Sequence, residues 1–360
     1  MYIIATRNYP PEVGGMQNLM YGLSVSLSKY EMIKVFADKH KNQKDFDNNL
    51  SFSIERTGGP KLFKSFRKAG LINDYLKKNN KVKGIIADHW KSLEKITSNL
   101  KKICLIHSKE INHEKGSYLN QRSIKVLNQC AYVVANSNFT KNLAISRGVN
   151  ENKIKVIHPG ILDTKQINTK ILKGIEKKIK DMTPRLITIS RFDKRKNHEK
   201  IIMCVRNLKE LYPKLIYFCI GSGEEEENLK KIVKELQIDK HVIFLKNLSL
   251  DQQNSYLKNS DIFVMPSIKH KKSVEGFGIA YMEAAQFGVP SIGGKDGGAS
   301  DAINHNETGL ICDGNNFEDI YEAITKMLEN KKHKVFGNQA KINSKRFYWS
   351  KIIKQYLDIL

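Results

Sequence analysis

The stretch EGFGIAYMEAAQFG, residues 275–288, sets Glu275 and Glu283 eight positions apart, with Gly276 and Gly278 directly after the first acid. Glycines ahead of a helix let a ligand approach free backbone amides, and carboxylates accept from hydroxyls. Glu275 precedes the glycines and so belongs to a loop. Residues 279–287 read as a helix, and Glu283 lies a turn into it. Carboxylate, amides and second carboxylate then follow one another in the order of a nucleotide-sugar: sugar hydroxyls, diphosphate, ribose hydroxyls. Taken alone, Glu283 also fits an ordinary surface helix acid.

Two other stretches bear on the same chemistry. In SRFDKRKN (190–197), Arg191 and Lys196 follow an apolar run. Cations at the carboxyl end of a parallel strand suit a diphosphate, whose charge grows as it leaves. In YPPEVGGMQ (9–17), Gly14 and Gly15 stand between a strand and a helix, the layout of a phosphate loop but also of a plain turn. GSGEEEENL (221–229) repeats that layout at Gly221. Its four glutamates fit the positive end of a helix better than they fit catalysis.

Positioning these residues requires a parallel α/β scaffold. Short unalternating apolar runs alternate with amphipathic stretches, as in strands covered on both faces. In the first half the strands fall at 2–7, 33–38, 84–89, 103–108, 131–137 and 154–160. In the second they fall at 185–191, 215–221, 242–247, 261–267 and 290–294. The expected organisation is a first Rossmann-like domain over 1–160, a polar lysine-rich linker over 161–184, a second domain over 185–345 and a terminal helix over 346–360.

Composition narrows the class. The chain has 360 residues and a formal net charge of +24. Residues 1–160 carry 27 Lys and Arg against 12 Asp and Glu, a net +15. That charge suits an anionic ligand or surface, although lysine is abundant throughout. No apolar run approaches the roughly 20 residues that span a bilayer, and the start does not read as a signal peptide. Five scattered cysteines suggest reduced thiols in a cytoplasmic protein. CxxC and HExxH spacings are missing, which argues against a zinc site. No helix-turn-helix or stacking platform accompanies the charge, which argues against nucleic acid.

Together these residues resemble the retaining, nucleotide-sugar-dependent glycosyltransferases of family 4. The resemblance covers nearly the whole chain and rests on Glu275-x7-Glu283, Arg191 with Lys196, and Gly14–Gly15. The run 275–303 is similar to the mannosyl- and glucosyltransferase branches. It implies the GT-B fold: two Rossmann-like domains with a cleft between them and a last helix crossing back to the first. It implies that Arg191 and Lys196 neutralise the leaving diphosphate, and that Glu275 holds sugar hydroxyls and Glu283 the ribose. Phe277, Gly278 and Ile279 would offer amides to the diphosphate. Gly14, Gly15, Gly221 and Ser267 would line the donor site, and His107 would contact the sugar near its primary hydroxyl. No metal or other cofactor is expected, because helix termini and cations replace it. Donor base and sugar stay open between UDP-glucose and GDP-mannose. A nucleotide-sugar epimerase on the same fold is the alternative, but the clustered acid and base residues it needs are not found.

A further stretch, GGPKLFKSFRKAGLINDYLKK (58–78), places Leu62, Phe63, Phe66 and Ala69 at helical spacing, with Lys61, Lys64, Arg67 and Lys68 around them. That composition fits a helix lying on an anionic membrane and equally a core-facing helix with solvated lysines. The membrane reading implies a peripheral protein on the inner face of the cell membrane and a lipid-linked acceptor. Otherwise the acceptor is a soluble saccharide.

Overall fold

Every residue of Tyr2–Ala5 is buried, as an unalternating apolar strand must be when both its faces are covered. This strand, β1, belongs to a seven-stranded sheet with β2 (Ile33–Asp38), β3 (Ser53–Thr57), β4 (Gly84–Ala87), β5 (Lys101–Ile106), β6 (Tyr132–Ala135) and β7 (Ile154–Val156). Its order is β3-β2-β1-β4-β5-β6-β7, and all its pairs are parallel. A six-stranded sheet contains β8 (Arg185–Ile189), β9 (Ile216–Ile220), β10 (Val242–Leu245), β11 (Ile262–Met265), β12 (Ser291–Gly294) and β13 (Gly309–Cys312). Its order is β10-β9-β8-β11-β12-β13, again parallel. The structure is a computed structural model that describes residues 1–360 apart from Val13, Lys61, Leu62 and 164–166.

All eleven strands expected from apolar runs are present. β3 and β13 are additional, and each is an edge strand. β3 reads SIERT and buries only its last residue, so it carries no apolar run to detect.

The chain forms two units. Unit 1 is Met1–Leu162 with Phe347–Leu360, and unit 2 is Asp163–Arg346. Within the stretch expected as a linker, Thr169–Ile179 is a helix that buries Ile175 and Ile179. It packs on helix Leu250–Lys258 inside unit 2. The lysines on its outer face mask this apolar stripe in the sequence.

The last helix, Trp349–Leu357, packs on helix Gly15–Leu27 of unit 1. Glycine makes room for it: a Cβ on Gly22 would lie 2.0 Å from the Trp349 indole nitrogen, and one on Gly160 would lie 2.4 Å from the same ring. Backbone bonds fix the register, with Ile161 N–H donating to Phe347 at 2.8 Å and Trp349 N–H to Ile161 at 3.1 Å. All five cysteines are free and buried. No described helix is long and apolar enough to cross a membrane.

Candidate active site

In unit 2 the strand order reverses between β8 and β11. Chains leave such a switch point in opposite directions, which opens a crevice beyond the carboxyl ends of the strands. The unit 2 residues expected in the site gather there. After β8 the chain makes a short 3-10 turn, Lys194–Lys196, capped by the Asp193 side chain, which accepts from Lys196 N–H. Asn197 then takes a left-handed conformation (φ 63). Its amide donates to the carbonyls of Pro266 at 3.0 Å and Gly314 at 2.7 Å, tying this turn to the exit of β11.

The turn delivers two cations to one carboxylate oxygen. Lys196 Nζ and Arg195 Nη1 both donate to Glu275 Oε2, the arginine at 2.6 Å. The side chains of Arg195, Lys196 and Glu275 are 11%, 11% and 13% exposed. Burial alone would raise the Glu275 pKa, but Lys196 and Arg195 outweigh it and hold the carboxyl down to about 2. Glu275 is itself anchored through its carbonyl, which accepts from Gly298 N–H at 2.9 Å.

Arg195 is a member of this cluster that spacing does not single out. It stands beside Lys196 in a turn where three of the residues 194–196 are basic, so nothing in the sequence distinguishes the inward side chain. Arg191 differs sharply: its side chain is 79% exposed, 3.7 Å from Asp193. It stands at the same strand end without touching Glu275.

Close backbone approach explains the glycines. A Cβ on Gly221 would lie 2.0 Å from the Ser190 carbonyl, and one on Gly294 2.0 Å from the Ser267 carbonyl. Ser267 is buried at 1% exposure and Phe277 likewise. Gly278, left-handed at φ 88, precedes helix Ile279–Ala285, which begins as expected and ends two residues sooner. Glu283 lies on that helix, half-buried. Burial pushes its pKa up, and among the described residues its carboxylate has no hydrogen-bond or ionic partner.

In unit 1 the order reverses between β1 and β4. Gly14 caps helix Gly15–Leu27 without a side-chain cap, and the first turn holds no acid, so its amides and partial positive charge are uncompensated. The expected histidine, His107, follows β5. Its Nε2 is buried without a partner among the described residues, and the ring faces a small pocket lined by Leu19, Leu105, Val134, Ile157 and Tyr356. His89, which the sequence reading passes over, follows β4. Its Nδ1 accepts from Lys91 N–H at 3.0 Å, which leaves the proton on Nε2. Burial, then Arg7 and Lys91, hold its pKa down to about 3, so it is a neutral N–H donor.

The basic helix of unit 1 spans Lys64–Lys78, and the expected face divides. Phe63 and Phe66 are 58% and 63% exposed, and Lys64 and Arg67 accompany them. Lys68 does not belong to that surface. It is 2% exposed, it donates to the Thr6 carbonyl, and it pairs with Asp38. The reason is helical drift: three-residue steps rotate by about 60° each relative to a true turn, which carries Ala69 and its neighbour into the core. Lys61 and Leu62 lie outside the described residues.

Comparison with known proteins agrees with this architecture. Residues 13–166 match the family described as Glycosyltransferase Family 4, and residues 173–343 match Glycosyl transferases group 1. The fold is shared with Anabaena HepE, solved in complex with UDP-glucose: TM-score 0.82, 16% identity, covering 99% of this chain and 98% of that one. The chain therefore has the GT-B fold. It belongs to glycosyltransferase family 4.

Among curated relatives, a GDP-mannose-dependent alpha-(1-6)-phosphatidylinositol monomannoside mannosyltransferase of Mycobacterium tuberculosis is 29% identical over 40% of this chain. A D-inositol 3-phosphate glycosyltransferase of Pseudarthrobacter chlorophenolicus is 31% identical over 36% of it. The matched stretches span 38% and 30% of those proteins.

Proposed function

We propose that this protein moves a hexose, with retention, from a UDP- or GDP-hexose to a hydroxyl of a membrane-linked acceptor. The observation that carries the donor half is the Arg195–Glu275–Lys196 cluster at the switch point of unit 2. Oε2 of Glu275 is occupied by cations, and its Oε1 is left to accept from hydroxyls of the transferred sugar. The net positive charge of the trio, with exposed Arg191 beside it, suits a leaving diphosphate. Glu283 supplies a buried, unpartnered carboxylate for the ribose diol. The dependence of the mycobacterial relative on GDP-mannose supports the same donor class.

Retention is taken from the resemblance to the retaining enzymes of family 4. The Glu275 carboxylate, paired with two cations, is a poor nucleophile, so departure and attack on one face of the sugar stand in place of a glycosyl-enzyme. The leaving phosphate then takes the acceptor's proton. The cations supply the charge stabilisation that a metal would otherwise give, so activity is expected without one.

Incubation with UDP-, GDP- and ADP-sugars, with and without EDTA, tests this reading. Slow hydrolysis of one donor, insensitive to EDTA, is expected; no hydrolysis and no nucleotide binding would sink it.

The membrane half rests on Phe63 and Phe66, which stand in solvent beside Lys64, Arg67 and Lys95; Lys95 Nζ lies 6.0 Å from the Phe66 ring centre. Exposed aromatics ringed by cations suit an anionic interface. The protein is expected to sediment with phosphatidylglycerol vesicles at low salt, and F63S/F66S to remain in the supernatant with an unchanged melting temperature. A wild type that stays in the supernatant would point to a soluble acceptor, and equal sedimentation of both would remove Phe63 and Phe66 from the membrane reading.

A further inference from the structure

The switch point of unit 1 carries cations that the donor chemistry does not use. β1 and β4 are neighbours in register, Ala5 opposite Ala87. Arg7 and His89 stand two residues beyond these partners, so they emerge level, side by side, where the strands diverge. The backbone there is held from beneath by Asp88, 2% exposed. Its Oδ2 accepts from Thr6 Oγ1 and Arg7 N–H at 2.8 Å, and from Asn8 N–H and Nδ2 at 3.3 Å. Asp88 is thus spent on neutral donors below the surface, while the Arg7 guanidinium stands exposed above it.

Lys91 is the second cation. Its backbone N–H is the donor to His89, and its ammonium lies 5.2 Å from the centre of the Trp90 ring. Burial lowers its pKa first, and then the charges of Arg7 and Arg122. Glu94, the carboxylate whose charge acts on Lys91, is occupied in a bidentate pair with Arg122 at 2.8 and 2.7 Å. Glu110 accepts from His107 N–H. Among the described residues, neither Arg7 nor Lys91 has a carboxylate partner. Two unpaired like charges held near one another are costly, and an anion between them removes the cost.

We propose that Arg7 and Lys91, with the Nε2–H of His89, form a seat for a phosphate ester borne by the acceptor. An arginine fork, a point-charge ammonium and an imidazole N–H are complementary to phosphate oxygens. The inference rests on the glycosyl-transfer reading and narrows its acceptor to phosphate-bearing molecules. The phosphate belongs either to a soluble polyol phosphate or to a lipid headgroup.

The test compares R7S/K91S with K77S/K78S, which removes the same charge from the far end of helix Lys64–Lys78. Binding of sn-glycerol 3-phosphate is measured by calorimetry, with glycerol as the uncharged control. Vesicles of phosphatidylcholine with and without phosphatidylglycerol form the lipid arm. Wild type and K77S/K78S are expected to bind the phosphate ester alike, and R7S/K91S about tenfold more weakly or worse. The charge-keeping exchange R7K/K91R should retain binding, which separates loss of the seat from loss of fold. Discrimination by the soluble ester identifies a soluble source, and discrimination by vesicles alone identifies a headgroup. Equal binding by the two double variants in both arms overturns the seat. UDP and GDP binding in the same samples reads unit 2 separately. Its loss counts against the donor reading and leaves the comparison of the double variants to decide the seat.

Discussion

The two units repeat one construction and furnish it differently. Each is a parallel sheet whose order reverses once, between β1 and β4 in unit 1 and between β8 and β11 in unit 2. At the carboxyl edge of unit 2 Arg195, Lys196 and Glu275 are paired and buried, and backbone lies against backbone: a Cβ on Gly221, Gly223, Gly294 or Gly314 would meet a main-chain oxygen at 2.0–2.3 Å. At the edge of unit 1 the cations are unpaired, and the Cβ that Gly14 lacks would meet only the Gln17 side chain, 2.4 Å away. A rigid, pre-paired edge suits a ligand part that never varies, the nucleotide diphosphate. An edge of unpaired side chains suits the variable partner, the acceptor.

The pairing in unit 2 is the first feature to break. Lys196→Ala removes one of two cations from a buried carboxylate and from the developing diphosphate charge. The expected loss in kcat/KM is a factor of roughly 100–1000, about 2.7–4 kcal/mol, by analogy with a lost oxyanion donor. Arg191→Ala, at an exposed position, should cost less. If both variants turn over at wild-type rates, the cluster is structural and the donor lies elsewhere.

Backbone contact is the second. Gly294→Ala or Gly221→Ala forces a methyl into a carbonyl that cannot swing away, and Gly221 also has φ 144. Each should destabilise by more than about 1 kcal/mol, a fall in melting temperature of about 2–4 °C or more for a unit of this size. Gly14→Ala should leave the melting temperature unchanged, because its φ of 165 is extended backbone and Gln17 can rotate. Its effect belongs in turnover. Equal melting losses in both units would erase the contrast.

Much of this was legible in the residues. Buried parallel strands are apolar along most of their length, so all but β3 and β13 announce themselves; β3 lacks an apolar run, whereas β13, Gly309–Cys312, has a short one that the sequence reading passes over. Glu275 and Glu283 stand out because acids around glycines need a reason, and Lys196 because it follows a strand together with Arg191. Arg195 does not, since a lysine-rich turn hides which side chain points inward. Lys68 shows the same difficulty from the other side. Lys68, Ala69 and Ile72 form the buried stripe of their helix, but a buried lysine and a surface lysine are one letter. Only the carbonyl of Thr6 and the carboxylate of Asp38, brought in from β1 and β2, tell them apart.

The smallest expected effect sharpens the comparison most, because it reads a single proton. Glu283 is unpartnered, and burial raises its pKa above the ordinary 4.5. Ribose hydroxyls donate more strongly to the ionised form, so a bound nucleotide lowers that pKa. Between the liganded and free values, binding releases a proton, and affinity falls as pH falls, by at most about tenfold per pH unit. The loss begins above pH 4.5, near the raised pKa of the free protein. Glu275, held at about 2, stays ionised across that window and contributes nothing to the slope. A nucleotide-sugar is the right probe, since neither of its phosphates changes charge there. The wild type should lose affinity on acidification, while Glu283→Gln should bind more weakly at neutral pH and show a flatter profile. Parallel profiles for the two proteins would mean that Glu283 is not the ribose ligand.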